Sequence, residues 1–259
     1  MKINNIKKIF MHQIKVNKLR LLLSLPGFMI VILIFILPSI IDYQNIQLNN
    51  YSELLSLYRQ QNPSLDNNNL TIIMLTDIKL LNYLLTLTFI IPLFLTIDLI
   101  VKEKEERTIE NLFSLPISDF EILLGKVLVS LLTTIILIWF FYFSTLIVSY
   151  YYNYMFLISH IISVKWLFSI FILIPVISYF INVVAITISC LVNKYQTSQF
   201  VAVLVLSPFM IFFVLLSNGT LIFYNSYLIL LFVFTLITSI AFSKISIKLF
   251  NREKILIKF

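Results

Sequence analysis

Long apolar runs separated by short charged or asparagine-rich stretches set the pattern of this chain. Six runs reach the ~20 residues that a helix needs to cross a bilayer core. They lie near residues 21–41, 79–101, 123–148, 166–191, 199–217 and 227–249. The runs are continuous rather than alternating with period two, so they predict helices and not a membrane barrel. Ahead of them, Ile3, Ile6, Phe10 and Ile14 share one helical face, with lysines on much of the rest. That predicts an amphipathic helix over 1–20 lying in the membrane interface. The apolar run after it is too long for a cleavable leader. Residues 42–78 read as a polar, asparagine-rich external loop. Within it, Tyr51, Leu54, Leu55 and Tyr58 make a short apolar stripe, which predicts a small helix resting on the outer mouth.

Composition agrees with this pattern and narrows the class. Of 259 residues, 60% are hydrophobic and only 12% are charged, and the mean hydropathy is +0.99. A soluble domain of this size has too little interior to hide that much apolar surface, and a disordered chain has the opposite bias. The expected fold is an all-α membrane protein, a single transmembrane domain over 1–259 with six spans. Sixteen of the nineteen Lys and Arg fall on one side of such a topology, leaving Arg59, Lys79 and Lys165 on the other. By the positive-inside rule both termini are cytoplasmic, and the net charge of +7 is a topology signal rather than a nucleic-acid patch.

Little in the chain points to catalysis. The single cysteine, Cys190, forms no internal disulfide, and the two histidines, His12 and His160, lie far apart, so no metal site is expected. The three glycines, Gly27, Gly125 and Gly219, fit neither a phosphate-binding P-loop nor a dinucleotide fingerprint. Asp98 lies near the inner end of the second span, one turn before Lys102, and is expected to pair with it. No other acid falls inside a predicted span, which argues against a buried proton relay. Pro92, Pro175 and Pro208 mark bends within spans. Tyr150, Tyr151, Tyr152, Tyr154 and Trp166 read as interfacial anchors.

The densest charge cluster is the cytoplasmic loop 102–126, KEKEERTIENLFSLPISDFEILLGK. Its first half is helical by pattern. Glu103 and Arg107 are four apart, as are Lys102 and Glu106, while Ile109, Leu112 and Phe113 share a face. Pro116 ends this element by disfavouring helix at Leu115. A new helix then starts at an N-cap, Ser118, with Glu121 completing a capping box and Ile117 and Ile122 at the staple positions. A stiff amphipathic helix, a sharp turn and a pinned helix start can pass a push from a soluble partner into the membrane.

This loop resembles the signature between spans two and three of ABC-2-type permeases. The matching positions are Glu103, Glu106, Thr108, Glu110, Leu112, Pro116, Ser118, Glu121, Leu124, Gly125 and Lys126. Arg107 departs from it, since many members carry glycine before the threonine. The resemblance implies the membrane half of an ABC exporter in a prokaryotic cytoplasmic membrane. Two permease chains, identical or similar, form the pathway, and separate ATPase subunits hold the ATP and Mg. No cofactor is then expected in this chain. Segment 102–122 becomes the coupling segment, with Glu103, Glu106, Arg107, Thr108, Glu110, Leu112, Phe113 and Pro116 contacting the ATPase. By its location alone, the second cytoplasmic loop, Asn193–Ser198, is expected to make a minor second contact. The cargo implied is an amphipathic drug, peptide or lipid-like molecule. Two other readings stay open at this stage: an ATP-independent transporter or channel, and a scaffold subunit of a larger membrane assembly.

Overall fold

A computed structural model of the chain describes residues 9–11, 52–61, 63, 65–106, 118–192, 194–217 and 225–249. Among these the structure is helical, with no strand. After the helical residues 9–11, the described residues from Ser52 on form seven helices: α1 (Ser52–Gln61), α2 (Asn67–Glu105), α3 (Asp119–Tyr151), α4 (Met155–Ile161), α5 (Val164–Leu191), α6 (Tyr195–Ser217) and α7 (Asn225–Leu249). Four of them, α2, α3, α5 and α7, are long and apolar enough to cross a membrane by length and composition. The sequence also predicts α6 as a span. The first predicted span, 21–41, lies outside the described residues.

Local sequence explains the boundaries. Asp66 caps α2 by accepting from the Asn67 amide at 2.8 Å. The asparagine run 67–69 is therefore the first turn of a helix, not loop. Helix α2 continues without a break into the span, so the last third of the expected loop 42–78 is helical. Asp77 and Lys79 interrupt the apolar run there, which is why hydropathy alone starts the span at 79. At 39 residues α2 is about 58 Å long, roughly twice the ~30 Å hydrocarbon thickness, so it projects past the bilayer core. Helix α5 widens to an i→i+5 turn over Ser169–Leu173, immediately before Pro175. Proline has no amide hydrogen and its ring crowds the carbonyl four residues back, here that of Phe171. Helix α2 widens likewise over Thr76–Leu80, around Asp77.

Helix α5 is the hub, packing against α2, α3, α6 and α7. Its buried residues include Ile177, Phe180, Ile181, Val184, Ala185 and Ile188. The outward faces stay apolar. On α3, Leu128, Leu132, Ile136, Phe140, Phe143 and Ile147 recur every three or four residues and are all exposed. Only 22% of the apolar window of α7 is buried. Water would not tolerate such continuous faces; lipid does.

Two expectations about the charged end need revision. Lys104 and Lys126, counted on sequence among the cations of a cytoplasmic loop, are 1% and 0% exposed. Of the predicted interfacial helix 1–20, residues 9–11 are described and helical. Ile9 is buried against Ile100, Ile122, Leu123, Val127, Ile186 and Cys190, at the ends of α2, α3 and α5. Ile9 lies beside the predicted stripe, so this part of the helix packs on protein through a neighbouring face, while Met11 is exposed.

Candidate functional site

The segment that the sequence singles out enters from α2 and leaves into α3. Residues 107–117 lie outside the described residues. Arg107, Thr108, Glu110, Leu112, Phe113 and Pro116 fall there. The two arms that hold the segment, through Glu106 and from Ser118, are described. Ser118 has extended backbone, and its hydroxyl accepts from the Glu121 amide at 3.3 Å. Glu121 reaches back to accept from the Ser118 amide at 3.3 Å. The capping box expected from sequence is formed, with Glu121 buried. At the other arm, the exposed Glu106 closes the last turn of α2 through its amide on the Lys102 carbonyl at 2.8 Å.

Behind these arms lies a lattice of charged side chains that includes two buried lysines. Lys126, on the second turn of α3, donates to the Leu99 carbonyl at 2.6 Å and to Glu103 Oε2 at 2.5 Å. That lashes α3 to the end of α2. Lys104 donates to the Ser189 carbonyl at 2.5 Å, lashing α2 to the last turn of α5. A helix C-terminus presents free carbonyls, so a lysine there satisfies both partners. Glu105 Oε1 accepts from the Tyr195 amide at 2.7 Å, at the first residue of α6. A carboxylate suits the positive end of the helix dipole. Lys102 pairs with Asp98, as the sequence predicts, and its ammonium lies 4.9 Å from the centre of the Tyr195 ring. The end of α2 is thus tied to α3, α5 and α6. In the second loop, Asn193 lies outside the described residues, but Tyr195 shares this lattice.

Deeper in the bundle, three polar side chains meet beside Pro92. Thr96 Oγ1 bonds Ser130 Oγ at 3.0 Å and also Asn182 Oδ1. Ser130 Oγ donates to Asn182 Oδ1 at 2.7 Å and to the Pro92 carbonyl at 3.3 Å. All three are fully buried, and Asn182 Nδ2 has no partner among the described residues. This node joins α2, α3 and α5. Scattered Thr, Ser and Asn in three separate apolar runs carry no spacing signal, so the sequence reading missed it.

A second miss lies at the opposite end. Asp77 is 9% exposed, although it falls just outside the predicted span and within the expected loop. Its Oδ1 accepts from Trp166 Nε1 at 2.9 Å and from His160 Nε2 at 2.8 Å. Its Oδ2 accepts from Tyr58 Oη at 2.7 Å. Burial, then the charge and hydrogen bond of Asp77, push the Tyr58 hydroxyl far above its ordinary range. Trp166, expected to be a lipid-facing anchor, is buried here instead. Tyr150, Tyr151 and Tyr152 are exposed, consistent with the anchor reading. Among the described residues, no group of three or more His, Cys, Asp or Glu could hold a metal ion.

Comparison with known proteins bears on the whole arrangement. The model of a family described as ABC-2 family transporter protein matches residues 19–227, a stretch that contains the loop signature, α1 to α6 and the first predicted span. No curated protein and no solved structure matches the chain.

Proposed function

The chain belongs to the ABC-2 transporter family, and from that premise we propose that it is the permease subunit of an ATP-driven exporter. Two such chains, or this one with a similar permease, form the pathway in a prokaryotic cytoplasmic membrane, with both termini inside. Segment 102–122 seats in a cleft of a separate ATPase subunit, which binds ATP and Mg and does the chemistry. This chain has no catalytic role. The apolar pathway helices suit an amphipathic cargo.

One observation supports the coupling role above the rest. The two arms of the segment are fastened to each other and to the bundle by two buried lysines, Lys126 on Glu103 and Leu99 and Lys104 on Ser189, and at the surface by the exposed Glu105 on the start of α6. A solvated linker would need none of these bonds. A rigid base of this kind moves α2, α3, α5 and α6 together when the segment is displaced. The Thr96–Ser130–Asn182 node carries the same linkage toward mid-membrane.

The test is co-purification. The tagged full chain is extracted gently from its native membrane, alongside a Leu112→Asp, Phe113→Asp double variant. A P-loop ATPase held by the wild type and lost from the variant is the expected outcome. Equal recovery of the ATPase by both chains would place coupling elsewhere. Recovery of no ATPase at all would favour a transporter or scaffold working without ATP.

A further inference from the structure

The polar cluster at the end opposite the coupling segment has no part in ATPase docking, yet it is built more tightly than an incidental contact. Three separate elements send a side chain to one carboxylate on a fourth. Tyr58 comes from α1, Asp77 from the widened turn of α2, His160 from α4 and Trp166 from the start of α5. Tyr58 and Trp166 are 3% and 4% exposed. A carboxylate bonded at both oxygens is a strong acceptor, and bonds to an ionised group are roughly twice as strong as neutral ones. A neutral side chain at position 77 would accept fewer of these donors and carry no charge.

The surroundings show what this carboxylate holds. Helix α1 has ten residues, too short to be stable alone, and it reaches the bundle through Leu55 and Tyr58. Helix α4 has seven residues and is held through Leu157, Ile161 and His160, with the Ile161 carbonyl accepting from Tyr142 Oη at 3.1 Å. Both short helices cover the same end of the bundle. Two widened turns also lie at this end: Thr76–Leu80, which contains Asp77, and Ser169–Leu173, which begins three residues after Trp166. Widened turns exchange regular helix bonds for looser i→i+5 ones and recur at functional positions.

We propose that α1 and α4 form a cap over this end of the bundle, with Asp77 as the latch that holds both. Tyr58 ties α1 to the latch, His160 ties α4, and Trp166 fixes the carboxylate against α5. The cap opens when those bonds part, while the spans beneath it keep their packing. The latch stands independently of ATPase coupling; that the cap closes the release end of an export pathway rests on the function proposed above.

Hydrogen–deuterium exchange on the full chain in lipid nanodiscs tests the latch alone. Asp77→Asn is expected to speed exchange in both Ser52–Gln61 and Met155–Ile161 by about ten- to a hundredfold, the change that follows from losing a hydrogen bond to a charged acceptor. Tyr58→Phe is expected to speed α1 and leave α4 unchanged, and His160→Phe the reverse. Exchange in α7 stays at the wild-type rate throughout. The proposal is overturned if Tyr58→Phe and His160→Phe leave their helices at wild-type rates. It is equally overturned if exchange rises in α7 as much as in α1, because the cluster would then be ordinary core. Should Asp77→Asn not insert, the two conservative variants decide the matter on their own.

Discussion

Lys126 gives the sharpest test of the charge lattice. Its ammonium is fully enclosed and touches one carboxylate and one carbonyl, Glu103 Oε2 at 2.5 Å and Leu99 O at 2.6 Å. Lys126→Met keeps the unbranched stem and removes only the charged head. Breaking a buried pair by removing one partner typically costs about 3–5 kcal/mol. The side chain of Glu103 is 18% exposed and can recover some water, so the lower end, about 3 kcal/mol, applies here. Glu103→Leu leaves an enclosed lysine with a single carbonyl and is expected to cost at least as much. The double variant behaves differently, because no unpaired charge remains. The Leu99 carbonyl then loses a donor, a loss of about 1 kcal/mol. The double variant should therefore be more stable than either single one. Equilibrium unfolding in mixed micelles by SDS titration, followed by circular dichroism, measures all four corners of this cycle. If the double variant loses as much stability as the two single variants added together, Lys126 and Glu103 are not energetically coupled, and the lattice argument fails.

Three further outcomes follow from the same reasoning. Ser118→Ala should cost about 1 kcal/mol by removing the cap of α3, with the loss read as faster amide exchange at Phe120 and Glu121, whereas Ser118→Asp should retain most of it. The raised titration of Tyr58 gives a pH signature: the protonated phenol is favoured in the packed state, so its contribution is complete below the ordinary tyrosine range, about 10, and is lost as pH rises above it. Protection of α1 relative to the base-catalysed intrinsic rate should thus fall above about pH 10 in the wild type but show no such step in Tyr58→Phe. Asn182→Leu should change stability by less than about 1 kcal/mol, since hydrogen bonds between membrane helices average about 0.6 and one end of this amide already lacks a partner; a loss above about 3 kcal/mol in the same SDS titration would mean that the node carries far more than this.

The charged loop shows how far a sequence reaches. Ser118 and Glu121 at a spacing of three, after a proline, specify a capped helix start locally, and the structure has it. Asp98 and Lys102 are likewise one turn apart and pair. Glu103 was legible as part of the signature, but its partner Lys126 lies 23 residues on and becomes a neighbour only when α3 folds back along α2. Lys104 was read as a solvent cation because its charge is visible in sequence and its burial is not. The carbonyl it meets, that of Ser189, is a backbone group, and a sequence gives no clue to which backbone group a lysine will find.

Continuous apolar runs determined the membrane class and the helices long enough to cross, because those depend on each segment's own transfer to lipid. Local steric rules determined the capping box and the wide turn before Pro175. Only the tertiary structure decided which polar groups meet. Asp77, Tyr58, His160 and Trp166 span more than a hundred positions of sequence, and each alone reads as loop or anchor. What joins them is the folding of α1 and α4 onto the ends of α2 and α5. That arrangement is set by the packing of apolar side chains far apart in the chain, so no local pattern encodes it.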